Sequence, residues 1–251
     1  MTTDTMKEQK KTAETKAATG AKRGPGKLGW WIGAGMLFMV WALAEAWLIA
    51  PTERTMGIYQ RIFYVHVPGA FTGFLAFFIN FIASAIYLFR RSPRADAWAV
   101  ASAEVGVAFL SINLITGPIW AKPVWGIWWT WDARLTLTLV LWVMYASYLL
   151  LRHLTPAGEL QPRLAAALAV FFFFDTPIDY MAIRWWRTQH PQPVILGGSN
   201  SGMAPAMWVA FWAGWATFLI WMVVLMRLRY RQARQRQRLD ELRRTVALRA
   251  A

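Results

Sequence analysis

Six long apolar stretches alternate with shorter polar segments along this 251-residue chain. Each stretch has about the 20 apolar residues that a helix needs to cross the hydrocarbon core of a bilayer. Lipid offers the backbone no hydrogen-bond partner, so stretches of this kind cross the membrane as helices. The pattern therefore predicts an all-α membrane protein with six transmembrane helices. The predicted spans are residues 28–50, 66–89, 97–119, 135–151, 164–183 and 204–226.

The segments that flank these spans are polar and basic. Residues 1–27 have no apolar periodicity, so they bury too little surface to offset the entropy of ordering, and we predict a disordered tail. One membrane domain follows at residues 28–227. Residues 228–251 are predicted to be a second basic tail with a helix-compatible sequence, interpreted as a solvated or lipid-facing stop signal. Contact with anionic headgroups or with an acidic partner is the alternative.

The net charge of +14 would favour a nucleic-acid partner in a soluble chain, but its distribution points elsewhere. With the N-terminus in the cytoplasm, the inner segments carry 21 basic residues and the outer segments carry 6. This imbalance obeys the positive-inside rule and predicts that both termini are cytoplasmic. The high positive charge is thus explained by the orientation of the protein in the membrane, and no nucleic-acid partner is expected. Residues 51–65, 117–134 and 184–203 then face outward.

The middle outward segment is rich in tryptophan, with five Trp between Trp120 and Trp131. If residues 125–132 are helical, Trp125, Trp128, Trp129 and Asp132 share an arc of about 100° and form one aromatic face. Trp is enriched at membrane interfaces in any case, so a simple aromatic belt is the alternative. A belt does not need such clustering, however. A flat aromatic face suits a flat aromatic ligand, and we take porphyrin as the candidate.

Two of the three His residues also belong to the outward regions. His66 lies where the first outward segment enters the second span, and His190 lies in the third outward segment, whereas His153 is predicted to be solvated on the cytoplasmic side. Neutral imidazoles from two segments can occupy both axial positions of haem iron. Each His taken alone is more often an ordinary interfacial residue. The chain has no Cys, so thiolate ligands and covalent attachment through a CxxCH motif are excluded.

Four outward Arg residues are candidates to contact the haem propionates, because guanidinium groups form charge-assisted hydrogen bonds with carboxylates. The alternative role for each is pairing with lipid phosphate or with Glu53, Asp132 or Asp179. The four are Arg61, Arg134, Arg184 and Arg187.

Two acidic and two amide residues lie inside predicted spans, where ionised groups are costly and often functional. An alternative function, a transporter that moves haem or another solute through the helix bundle, would need broken helices or polar residues aligned across the midplane, and only these four residues are available for it. These residues are Glu45, Glu104, Asn80 and Asn113.

Three segments resemble a known family. Residues 125–136, with the sequence WGIWWTWDARLT, resemble the WWD signature of haem-handling proteins of cytochrome c biogenesis. The six spans, with one His before and one after the signature, are most similar to the haem exporter protein C family (CcmC) of the System I maturation pathway. The segments RIFYVHVP, which contains His66, and WWRTQH, which contains His190, are similar to the family segments with the axial ligands. The similarity covers about residues 28–227, with Gln189, Asp175 and Asp179 as local departures.

The resemblance implies a function that is not enzymatic, at the bacterial inner membrane. Haem b is held non-covalently at the outer face by the two His and the WWD segment, residues 120–136. The chaperone CcmE then receives it through a covalent bond to its own His. The ABC transporter subunits CcmA and CcmB and the helper CcmD complete the assembly. Taken together, the residue chemistry and the resemblance predict these haem-binding residues: His66, His190, Trp120, Trp125, Trp128, Trp129, Trp131, Asp132, Arg61, Arg134 and Arg187.

A third hypothesis is a haem–apocytochrome synthetase of System I or System II. Those relatives have more helices and additional His residues, which this chain lacks.

Overall fold

The computed structural model describes residues 27–156, 158–190 and 203–250, so the predicted N-terminal tail lies almost wholly outside the described residues. Within these ranges, six segments are long and apolar enough to cross a membrane, which confirms the predicted fold class. The helices are α1, Lys27–Ala44, extended by a π-helical turn at Glu45–Ile49; α2, Phe63–Arg90, preceded by a 3-10 turn at Ile58–Ile62; α3, Pro93–Trp125; α4, Ala133–Leu154; α5, Leu160–Phe172; α6, Asp175–Trp185; and α7, Pro205–Ala250.

Helices α5 and α6 together form the fifth span, with a short break at residues 173–174. The last helix is longer than its predicted span, because α7 continues through the basic residues to Ala250 without interruption. Arg, Leu, Gln and Ala dominate this continuation, and all four are strong helix formers. A rise of about 1.5 Å per residue makes α7 about 70 Å long, more than a bilayer core requires.

Helices α2 and α3 form the central pair of the bundle. Helix α7 packs on this pair and α1 packs on α7, whereas α4 packs on α3, α5 packs on α2 and α4, and α6 packs on α4. The centre is filled by a fully buried cluster in which the rings of Phe77 and Tyr145 stack with centroids 3.7 Å apart. Buried Ala residues along the first half of α3 allow close helix contact, as is usual between membrane helices.

The outer surface of the bundle is apolar. Trp30, Leu48 and Phe89 are 72%, 82% and 89% exposed, respectively. Such exposure would be unfavourable in water but is expected for side chains that meet lipid acyl chains. We therefore describe the protein as a multi-pass membrane protein.

The bundle has two chemically different ends. The Trp end is where residues 117–134 lie, with the start of α2 and the end of α6 beside them. At the opposite end, Arg152 of α4 pairs with Asp96 of α3 at 2.8 Å, and Gln237 of α7 donates to the same carboxylate at 2.8 Å. Nearby, Arg229 of α7 pairs with Glu104 of α3. The contacts of Gln237 and Arg229 hold the basic continuation of α7 against α3, and the Arg152–Asp96 pair joins α3 to α4.

Candidate functional site

A cleft of about 530 Å³, which includes open solvent, lies at the Trp end of the bundle. Helices α2, α3 and α4 and the segment after α6 contribute the lining. Among the residues predicted from the sequence, the cleft brings together His66, His190, Trp120, Trp125, Trp129 and Arg134.

His66 is buried in the first turn of α2, against α3. Its Nδ1 atom lies 3.0 Å from the hydroxyl oxygen of Thr116. That hydroxyl donates to the carbonyl of Ile112 at 2.7 Å, so its oxygen is available to accept a hydrogen bond from the imidazole. The network therefore assigns the ring hydrogen to Nδ1 and leaves the lone pair on Nε2.

The lone pair of His66 Nε2 faces an amide of α3. The Nδ2 atom of Asn113 lies 3.1 Å from His66 Nε2 and 3.2 Å from the backbone carbonyl oxygen of His66. Both side chains are buried. The ring also depends on Gly117, because a Cβ atom there would lie only 3.2 Å from His66 Cε1. Helix α3 thus fixes the tautomer and the position of the imidazole.

His190 lies just beyond the end of α6 and faces the same cleft. The ring centroids of His66 and His190 are 6.4 Å apart, and the ring planes are inclined by 29°. The backbone N–H of His190 donates to the Thr188 hydroxyl at 2.9 Å, which closes a tight local turn. Two imidazoles from segments more than a hundred residues apart in sequence therefore lie side by side.

Asp132 connects the segment that carries His190 to the Trp segment. One carboxylate oxygen accepts the Leu135 N–H at 3.0 Å and caps the start of α4. The other oxygen accepts the Thr130 hydroxyl at 3.0 Å and the Gln189 backbone N–H at 3.1 Å. Asp132 therefore holds three parts of the site together through hydrogen bonds.

The predicted helix over residues 125–132 is wrong. Helix α3 ends at Trp125, and Gly126 follows in the left-handed conformation, with φ 79° and its N–H donated to the Lys122 carbonyl at 2.9 Å. A glycine in this conformation is a common helix terminator. The chain is then irregular until Asp132 caps α4, so the predicted single helical face of Trp residues does not exist.

The Trp residues instead divide into two groups. Trp120 is buried in α3, and its ring meets that of His66 edge-on at 5.7 Å and lies 6.5 Å from that of Trp125. Trp125 and Trp129 also line the cleft. Trp128 and Trp131 lie outside the lining and are 57% and 76% exposed. The indole nitrogens of Trp120 and Trp129 are buried without a hydrogen-bond partner among the described residues.

Arg134 lines the cleft and is held by a buried acid. Its Nη1 atom lies 3.2 Å from a carboxylate oxygen of Asp179 and donates to the Asp179 carbonyl at 2.5 Å. The hydroxyl of Thr138 donates to the same carboxylate at 3.1 Å. The guanidinium carbon of Arg134 also lies 5.7 Å from the centre of the Phe74 ring. The pairing with Asp179, considered from the sequence as one alternative, is therefore present.

The other predicted Arg residues lie outside the cleft lining. Arg61 donates to the carbonyl of Trp47 and stacks over its ring, with 5.8 Å to the centroid. Arg187 is exposed. Arg184 is exposed as well and stacks over the ring of Tyr180 at 5.7 Å.

Comparison with known proteins identifies the family of this chain. The family model described as "Heme exporter protein C" matches residues 15–245. The chain belongs to the haem exporter protein C family. A relative named Heme exporter protein C from Bradyrhizobium diazoefficiens is 34% identical over 175 residues, which cover 69% of this chain and 66% of that protein. The Haemophilus influenzae protein of the same name is 32% identical over 196 residues, 77% of each chain. The Escherichia coli K12 protein is 34% identical over 166 residues, 64% of this chain and 68% of its own.

In this member of the haem exporter protein C family, four polar residues beside His66 and Arg134 were not among the predicted site residues, although Asn113 and Asp179 had been noted in other roles. Asn113 and Thr116 contact His66, and Thr138 and Asp179 position Arg134. One signal was present: Asn113 and Thr116 lie one helical turn apart in an apolar span and so share a face. The partner on α2 could not be identified without knowing how α2 and α3 cross.

Proposed function

We propose that the protein binds haem b non-covalently between His66 and His190 and presents it to a haem chaperone during c-type cytochrome biogenesis. The observation that carries this proposal is the pair of imidazoles in one cleft, with centroids 6.4 Å apart. Metal–imidazole bonds of about 2 Å, plus about 1 Å from each nitrogen to its ring centre, place two axial imidazoles of one metal about 6 Å apart. The observed separation fits this requirement.

The hydrogen bonds of His66 support its role as a ligand. Metal-binding His residues usually donate the second ring N–H to a protein oxygen, which fixes the tautomer and the ring orientation. The Nδ1–H of His66 has such a partner in the Thr116 hydroxyl, which in turn donates to the Ile112 carbonyl. The donor atom that remains for iron is Nε2, which in this structure contacts the Asn113 amide.

The remainder of the lining suits a porphyrin. Trp120, Trp125 and Trp129 offer indole surface, which favours offset or edge contacts with a flat aromatic ring system. Arg134 is the cation placed to meet a propionate, and Asp179 keeps it oriented. The buried indole N–H groups of Trp120 and Trp129 are two further donors for acidic oxygen atoms. Haem is thus the cargo. The chain supplies two imidazole ligands, indole side chains that contact the porphyrin, and a guanidinium group that pairs with a propionate.

The placement of the site suggests how the cargo leaves. The cleft is open to solvent at the Trp end, and Trp128 and Trp131 project beside it with more than half of their surface exposed. We assign this end to the outer face of the bacterial inner membrane, because the opposite end carries most of the Arg and Lys residues. The exposed indoles then form a contact surface for the chaperone CcmE. The proposed assembly also contains CcmA, CcmB and CcmD.

The alternative of a transporter has less support. It relied on four polar residues within the spans, and each has a hydrogen-bonding partner within the protein. Glu45 accepts from the Trp41 indole at 3.0 Å, Asn80 donates to the Ala99 carbonyl at 2.6 Å, Glu104 pairs with Arg229, and Asn113 contacts His66.

The ligand assignment is tested with purified protein and its visible spectrum. Wild-type protein is expected to give a low-spin bis-imidazole haem spectrum. His66→Ala and His190→Ala each lose that spectrum, and the double variant loses most of its haem. His153→Ala is the matched control, because His153 lies at the opposite end of α4 and its loss leaves haem content unchanged. Unchanged haem content in the double variant would contradict the proposal.

The presentation step is tested by cross-linking in membranes. A photoreactive residue at position 128 or 131 is expected to capture the chaperone only when haem is present. The same residue at position 37 of α1, where the side chain is exposed but far from the cleft in sequence and fold, serves as the control. Capture that is equal at all three positions, or independent of haem, would contradict presentation at this surface.

A further inference from the structure

The amide of Asn113 faces two acceptors on the same residue of α2. Its Nδ2 atom lies 3.1 Å from His66 Nε2 and 3.2 Å from the His66 carbonyl oxygen. Asn113 and His66 are 7% and 8% exposed, so water has little access to this contact. The nitrogen that the proposed function assigns to iron is therefore the nitrogen that Asn113 engages.

We propose that Asn113 is a competing hydrogen-bond donor that lowers the affinity of His66 for haem iron and so favours release of the cargo. This inference rests on the proposed function, since it requires His66 to be an iron ligand. The lone pair of Nε2 serves one partner at a time, either the amide or the metal. Each time haem leaves, the amide can satisfy the nitrogen that iron gives up.

The second acceptor of the Asn113 amide, the His66 carbonyl oxygen, keeps the free-energy cost of replacing the amide by iron small. A buried N–H group without a partner carries a penalty of about 1–3 kcal/mol, which would oppose haem binding strongly. Iron on Nε2 would take the place of the amide, so the Asn113 side chain must turn away, and the nearby His66 carbonyl oxygen is an acceptor that can offset most of that penalty. What haem binding loses is one neutral hydrogen bond. Competition of this size weakens binding without preventing it.

Thr116 lies one helical turn from Asn113 and has the opposite effect, because it raises the affinity of His66 for haem iron. Its hydroxyl accepts the Nδ1–H of His66 and so keeps the lone pair on Nε2, the tautomer that binds a metal. Loss of the Thr116 hydroxyl should weaken haem binding, whereas loss of the Asn113 amide should strengthen it. The two substitutions lie on one helix face and each removes a contact to the same ring. They are nevertheless expected to change haem affinity in opposite directions.

The experiment measures the dissociation constant for haem titrated into the purified full chain in detergent, against apomyoglobin as a competitor. In Asn113→Leu, which nearly preserves volume, we expect affinity to rise about fivefold, the factor that corresponds to one neutral hydrogen bond. The bis-imidazole spectrum should be retained. In Thr116→Val we expect affinity to fall by a similar factor.

Asn80→Leu is the matched control, because Asn80 is also a buried Asn but donates to the Ala99 carbonyl in the middle of the bundle. It should alter thermal stability and leave haem affinity unchanged. Asn113→Val provides a second test if the Leu variant does not fold. Weaker or unchanged haem affinity in a folded Asn113 variant with a bis-imidazole spectrum overturns the inference. A wild-type protein without that spectrum overturns the proposed function itself.

Discussion

The substitution Asp132→Asn separates two tasks of one carboxylate. One oxygen caps α4 through the Leu135 N–H, and Asn caps helices about as well as Asp. The other oxygen accepts the Gln189 N–H, and an amide NH₂ in its place would present a donor to a donor. We therefore expect Asp132→Asn to preserve the start of α4 and to release the segment that carries His190.

The expected size of the effect follows from the hydrogen bonds. A hydrogen bond to a charged group contributes about 1.5–3 kcal/mol, and the lower end applies to Gln189 because its contact is exposed. A loss of about 1.5 kcal/mol corresponds to a change of about tenfold in local opening. Asp132→Ala also removes the cap of α4, which costs about 1 kcal/mol more. Only the Ala variant should lose stability at α4.

Hydrogen–deuterium exchange in detergent measures both effects in one experiment. Peptides covering residues 186–190 should exchange about tenfold faster in both variants, and peptides from the start of α4 should exchange faster only in Asp132→Ala. Thr130→Val is the control, because it removes another donor to the same oxygen and leaves Gln189 bonded. Wild-type exchange at residues 186–190 in both Asp132 variants would refute this account of how His190 is positioned.

Two further predictions concern acidic residues. Asp179→Ala leaves the guanidinium of Arg134 buried without its acid and should lower the free energy of unfolding by about 3–5 kcal/mol, seen as early thermal unfolding. Asp175→Ala on the same helix should have a much smaller effect. Hydrogen bonds, chiefly from the Met56 N–H, lower the pKa of Glu53 below its ordinary value of 4.5. Their stabilisation is therefore complete above pH 4.5 and is lost as the pH falls through the lowered value. The Met56 amide resonance should titrate there, and Glu53→Gln should abolish the titration.

The spans were predictable because lipid imposes one solution on a long apolar stretch, and the six helices follow from it. The Trp segment was harder. Gly126 and Asp132 are ordinary signals for the end of one helix and the start of the next, and both stand in the sequence. The sequence prediction nevertheless placed a helix over residues 125–132, because the spacing of the Trp residues was compatible with one face of a helix. Over a segment this short, a glycine that ends a helix and an Asp that caps the next helix predict the structure better than the spacing of the Trp side chains.

A single sequence could not decide which residues pair across helices: Asp179 was one of three acids considered for the outward Arg residues, and Asn113 was not connected to His66. The contacts of His66 with Asn113 and of Arg134 with Asp179 join residues more than forty positions apart. Each depends on the crossing point of two helices, which is set by packing over their whole length. Sequence spacing can place two polar groups on one helix face, but it cannot identify the residue on the facing helix.

The centre of the bundle bears on the choice between presentation and transport. Phe77, Leu110 and Tyr145 lie near the midpoints of α2, α3 and α4, and all three side chains are fully buried in one cluster. The stacked rings of Phe77 and Tyr145, 3.7 Å apart, occupy the level at which a transported solute would have to cross. Transporter sites usually lie near this midplane, at broken helices. The break between α5 and α6 lies near the middle of its span, but Phe172 and Phe173 at the break pack into the same cluster. A cleft at the Trp end, above a packed aromatic layer, instead favours a site that is loaded and emptied from the same side of the membrane.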